Sequence, residues 1–202
     1  MSKLIDVIFK DIKKEKNIYI SLIIVLIIAL LFGMFFLTIV DEQNKLLITD
    51  HINTYFDSIK NGSFKYSIYN NIVNNNLTNF LLWILGFSVI GLPLIITMLF
   101  YKGFSLSFTI TTLIYNFRLK GIFLSFMYIF PHLILNMLIY FIVACYSFKL
   151  CLNMILIVFN KSKFSSVFFK KYVFILIISI ILLSLSALYE TFVLPYLIKI
   201  IY

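Results

Sequence analysis

The sequence predicts an all-α, polytopic integral membrane helix bundle of about five transmembrane helices, with a bent, partly short central set and an amphipathic outer-loop helix. The first observation behind this is composition: 62% hydrophobic, 12% charged and a mean hydropathy of +1.06 lie outside the range of soluble domains. The second is length. A bilayer core of roughly 30 Å needs about 20 apolar residues in a helix, and several such runs follow one another. The third is that no soluble segment longer than residues 41–79 separates them, so residues 1–202 read as a single membrane domain.

The first span, Ile18 to Val40, follows a basic N-terminus, residues 1–17, carrying Lys3, Lys10, Lys13, Lys14 and Lys16. It reads as a retained anchor. Its 23 residues exceed a signal h-region of about 7 to 15, and Leu37-Thr38-Ile39-Val40 lacks the small residues of a cleavage site. Residues 41–79 form the one substantial loop. Within it Leu47, Ile48, Ile52, Tyr55, Phe56 and Ile59 recur at helical spacing, and the helix ends at the turn dipeptide Asn61-Gly62. An apolar stripe in that place can rest in the outer headgroup layer, cap the bundle or bind a partner. An Asn-rich stretch from Asn70 to Asn79 then leads into span two.

Span two, Phe80 to Tyr101, holds the densest patterning. Trp83 sits near its outer end, Gly86 and Gly91 lie five apart, Pro93 breaks its centre and Lys102-Gly103 closes its inner end. Span three, Gly103 to Phe117, is short at 15 residues, so a re-entrant hairpin competes with a full crossing. Span four, Gly121 to Phe148, carries Pro131, and span five runs from Tyr172 to Tyr189.

Charge placement decides for the crossing, because Lys and Arg collect on the cytoplasmic side. Five crossings put the N-terminal lysines, Lys102 and the loop 149–171, with Lys149, Lys161, Lys163, Lys170 and Lys171, on that side. The N-terminus is then cytoplasmic, residues 41–79 and the C-terminus extracytoplasmic. The net charge of +9 reads as topology and as contact with anionic lipid headgroups, about 1 kcal/mol per Lys or Arg near the surface. The basic residues are not gathered on a compact face, which argues against nucleic acid as a partner.

Enzyme chemistry finds no carrier. The chain has only His51 and His132 and no H-E-x-x-H, G-x-S-x-G or Walker sequence, so no catalytic, cofactor or metal residues are expected. His132 follows Pro131, where it can hydrogen-bond another helix or the carbonyl that the proline frees; Asn136, one turn on, marks the same inward-facing seam. Proton relay or ion passage is the other reading of His132. Cys145 and Cys151 are expected as free thiols.

Glu190 is the only acid in the last 145 residues and falls where span five should meet the outer surface. There it can pair with Arg118 or Lys120, or contact an extracytoplasmic partner. Pro195 follows it.

Trp83 to Pro93, W-I-L-G-F-S-V-I-G-L-P, together with Tyr55-Phe56, Lys102-Gly103-Phe104, Leu119 to Ser125, Pro131 and the Glu190 to Pro195 ending, resembles the stage II sporulation protein M family. Where the family usually carries a second glycine after Gly103, this chain has Ser107, still small enough for close helix contact. The resemblance implies a role in engulfment, as a scaffold at the septal membrane that recruits two peptidoglycan hydrolases, a transglycosylase-type enzyme (sporulation protein D) and an amidase (sporulation protein P). It points to Tyr55, Phe56 and Glu190 as partner contacts. Trp83, Gly86, Gly91, Pro93, Gly103, Gly121, Pro131 and Pro195 become the helix-packing and bend set. Two alternatives stand beside it: a component of peptide export or immunity of the bacteriocin type, and a small transporter through His132, Asn136 and the span-three hydroxyls.

Overall fold

The computed structural model describes residues 15–61, 68–129, 132–159 and 166–196. These are helical nearly throughout and contain no strand. Six helices follow one another: α1 (Lys16–Ile39), α2 (Glu42–Lys60), α3 (Ile68–Leu85), α4 (Gly91–Ile129), α5 (His132–Val158) and α6 (Ser166–Phe192). The basic segment 1–14, Gly62, Pro131 and the tail 197–202 lie outside the described residues.

Four stretches are long and apolar enough to cross a membrane: Lys16–Ile39, Gly91–Phe123, His132–Val158 and Ser166–Tyr196. The expectation of five apolar spans is corrected accordingly, and the reason lies in three places. The segment read as span two is two helices. A turn at residues 86–90 separates them, closed by Phe87 N–H to the Ile84 carbonyl at 3.0 Å and Gly91 N–H to the Ser88 carbonyl at 2.9 Å. Pro93 therefore does not break a helix centre; it sits in the first turn of α4, where a missing N–H costs nothing.

The expected boundary at Lys102-Gly103 is absent as well. α4 runs through both residues without interruption, and its one break is at Arg118 (φ 49°, ψ −121°), where the chain leaves helical geometry. The expected end of span three at Phe117 is thus the real one. Beyond it the chain folds back: a Cβ on Gly121 would stand 2.8 Å from the Ile114 Cα and against the Leu113 carbonyl, so only glycine permits that approach.

The third correction concerns the Asn-rich stretch. It is not a loop leading into a span but the body of α3, which lies antiparallel along α6. Asn71 Nδ2 donates to Thr191 Oγ1 at 3.4 Å, Asn76 Nδ2 to Ser184 Oγ at 3.1 Å and Asn79 Nδ2 to Ser179 Oγ at 2.7 Å. Amide and hydroxyl groups on facing stripes replace the apolar contact that a lipid-facing helix would otherwise make.

α5 is the central helix, packed against α3, α4 and α6, with Tyr140, Val143, Ala144, Cys145 and Tyr146 all buried. Ser147 Oγ meets the Tyr172 hydroxyl at 2.9 Å near one end, and Ser186 Oγ donates to the His132 carbonyl at 3.5 Å near the other, so α5 and α6 are antiparallel. α1 runs parallel to α4, and it is apolar all round: Ile24, Ile28, Phe32 and Phe35 are exposed, as on a helix that faces acyl chains. One end of the bundle carries Glu15 and Lys149, paired at 3.3 Å, together with the turn 86–90. The opposite end carries α2.

Candidate functional site

The signature segment is held at the Glu15–Lys149 end, the reverse of the expected placement of Trp83 near the outer end. The Trp83 indole stacks on Tyr172 (centroids 5.2 Å, interplanar 13°), and its Nε1 donates to the Tyr172 carbonyl at 3.4 Å. The Tyr172 hydroxyl returns a hydrogen bond to the Trp83 carbonyl. Gly86 lies under this pair, where a Cβ would come within 3.1 Å of the Ser147 Cα. The Cys151 thiol donates to the Ser88 carbonyl at 2.8 Å. Five of the residues singled out from sequence or revealed here, Trp83, Gly86, Ser147, Cys151 and Tyr172, therefore fasten one tight turn to α5 and α6. Tyr172 and Ser147 carry no motif in the sequence, and only their contacts identify them.

α2 caps the bundle, one of the three readings its stripe allows. Phe56 and Ile59 are buried with Leu113 and Leu194, and Phe56 meets Phe117 edge-on at 5.4 Å. Phe56, expected as a partner contact, is thus turned into the protein's own core. Tyr55 is half-buried beside it, while Leu46 and Leu47 at the start of α2 are 64% and 58% exposed. Glu42 pairs with Lys45 at 2.9 Å, and that hydrogen bond holds the Lys45 ammonium above the ordinary lysine range. Pro195 is half-buried next to Leu194.

Glu190 does not pair with Arg118 or Lys120, both of which are exposed. The groups that act on its carboxylate are Asn75 and Lys102. Lys102 is the second relocation. Expected at a membrane boundary, it lies in the middle of α4, its ammonium over the Tyr140 ring at 5.6 Å. With Asn75, Ser105, Thr109, Asn136 and Tyr140 it lines a cavity of about 110 Å³. His132 is buried at the start of α5, its ring 6.1 Å from that of Tyr189.

Cys145 and Cys151 are free and buried. Among the described residues no three of His, Cys, Asp or Glu converge in a way that could hold a metal ion.

The chain belongs to the stage II sporulation protein M family, whose family model matches residues 22–195. It is a sporulation-related membrane protein. No curated protein and no solved structure matches it.

Proposed function

We propose that this chain is a non-enzymatic membrane scaffold of endospore formation, which recruits and localises peptidoglycan hydrolases at the septal membrane to drive engulfment of the forespore. Family membership over residues 22–195 carries the reading. The hydrolases are a transglycosylase of the sporulation protein D type and an amidase of the sporulation protein P type. A scaffold needs no reacting groups of its own. It acts by raising the effective concentration of its partners at one surface.

In this reading the N-terminus is cytoplasmic and the end of the bundle capped by α2 faces the space where the hydrolases work. α2 supports it physically: a helix fixed to the bundle through Phe56 and Ile59 leaves Leu46 and Leu47 outside, on a rigid mount.

Time-lapse membrane staining of sporulating cells lacking the gene, with the intact gene restored as control, tests the proposal. Arrest at a flat or bulging septum that restoration relieves is the expected outcome. Normal engulfment in the deletion strain, with neither hydrolase recovered on affinity purification of the tagged protein, overturns it.

A further inference from the structure

Along α3 and α6 the asparagine amides donate hydrogen bonds from helix to helix, while Asn76 Oδ1 and Asn79 Oδ1 are buried without a partner. The cavity at Lys102 brings such groups together with a cation around open volume. It lies among α3, α4, α5 and α6, and it gathers groups with nothing to bond to. The Tyr140 hydroxyl and Asn136 Oδ1 are buried without a hydrogen-bond partner, and Tyr140 as a whole is 3% exposed. Among the described residues the ion pairs within 4.0 Å are Lys45–Glu42 and Lys149–Glu15, so Lys102 and Glu190 do not close on each other.

A lysine in the middle of a membrane helix, facing an interior cavity, is costly unless its ammonium is given acceptors. Here it has three donors, a tyrosine hydroxyl beside it and an amide carbonyl oxygen that needs a donor. About 110 Å³ is room for several heavy atoms, where one water takes roughly 30 Å³. A group that satisfies all three must be anionic towards Lys102, must accept from Tyr140 and must offer a hydroxyl to Asn136 Oδ1.

We infer that this cavity is a binding site for a phosphate group bearing a hydroxyl, the chemistry shared by dihydrogen phosphate and by the phosphoglycerol headgroup of an anionic lipid. Lys102 supplies the charge, Tyr140 donates and Asn136 accepts. Glu190 sets the opposing field: it offsets Lys102 when the site is empty and weakens the anion when it is full.

The test uses the full chain purified in an uncharged detergent. Inorganic phosphate is titrated against chloride at equal ionic strength, reading the unfolding midpoint. Short-chain phosphatidylglycerol is titrated against phosphatidylcholine, reading bound lipid by native mass spectrometry. A charge-assisted contact in a partly buried site predicts that Lys102→Gln weakens binding on the order of tenfold or more, and Glu190→Gln is expected to tighten it. Tyr140→Phe keeps the ring packing and serves if Lys102→Gln does not fold; it is expected to weaken binding severalfold.

Phosphate binding that depends on Lys102 or Tyr140 supports the site with a soluble ligand. Binding of phosphatidylglycerol alone, with the same dependence, supports it with a lipid headgroup. No binding of either probe, or binding unmoved by all three variants, overturns it and leaves a cavity that holds water only.

Discussion

Gly33 and Ser107 touch where α1 crosses α4, and a Cβ on Gly33 would run into the Ser107 hydroxyl and stand 2.5 Å from the Phe104 carbonyl oxygen. One turn earlier the same seam brings Ala29 against Gly103, 3.0 Å from where a Cβ on that glycine would stand. Each helix thus offers two small residues four apart, which lets the backbones approach and gain dispersion contact that lipid cannot match. Phe36 and Phe104, edge-on at 5.3 Å, flank the seam.

Gly33→Leu should force α1 and α4 apart. Overpacking of a tight contact costs about 1–3 kcal/mol, which for a chain of this size lowers the unfolding midpoint by roughly 2–12 °C. Ser107→Gly should leave it nearly unchanged, as should Phe35→Leu, which alters a side chain 63% exposed to lipid. Thermal unfolding in detergent reads all three. Equal effects of Gly33→Leu and Phe35→Leu would rule the seam out as the source.

The α3–α6 interface predicts a coupling rather than a single loss. Asn79 and Ser179 are both buried and bonded at 2.7 Å. A double-mutant cycle with Asn79→Leu and Ser179→Ala should yield about 0.6 kcal/mol and at most about 1.7 kcal/mol, the mean and the maximum for interhelical hydrogen bonds in a membrane. A coupling of zero would mean that each group finds another partner when the first is lost.

How much of this was legible in the sequence follows from what hydropathy can register. α2 was readable because its apolar residues recur on one face, and the break after Phe117 because Arg118 and Lys120 interrupt an apolar run. Ser107 is legible as a small residue suited to close helix contact, and it meets Gly33 at the α1–α4 seam. α3 was not readable: Asn70 to Asn79 looks like a polar loop until Ser179, Ser184 and Thr191 are known to face it. The turn 86–90 is hidden for the opposite reason, since it is as apolar as the helices it joins. Lys102 misled because a charge beside a glycine looks like a membrane boundary, whereas α4 carries it inward to a cavity.

Tyr172 should show a graded response. Tyr172→Phe keeps the stack on Trp83 but removes the hydroxyl that bonds Ser147 and the Trp83 carbonyl, at about 1–2 kcal/mol. Tyr172→Ala opens a cavity as well and should cost about 3–5 kcal/mol. If the two variants unfold alike, the ring contributes nothing beyond its hydroxyl.

Orientation is open to chemical labelling. In a background of Cys145→Ala and Cys151→Ser, which keeps a donor for the Ser88 carbonyl, Glu42→Cys and Lys170→Cys place thiols on exposed positions at opposite ends of the bundle. A membrane-impermeant maleimide added to intact cells should label Glu42→Cys, and should reach Lys170→Cys only after permeabilisation. The reverse pattern would invert the proposed topology and remove α2 from the compartment of the hydrolases.

Partner capture should depend on the part of α2 that the bundle leaves uncovered. Leu46→Asp with Leu47→Asp alters side chains 64% and 58% exposed, so folding should be preserved. Loss of a hot-spot anchor costs about 2 kcal/mol or more, roughly thirtyfold in affinity, and recovery of the hydrolases on the tagged protein should fall accordingly. Phe56→Asp, by contrast, places a charge beside Leu113 and Leu194 and should lower stability itself. Glu190→Gln changes a half-buried carboxylate and should leave capture intact. Unchanged recovery with the Leu46 and Leu47 pair, alongside loss with Glu190→Gln, would move the docking surface from α2 to the end of α6.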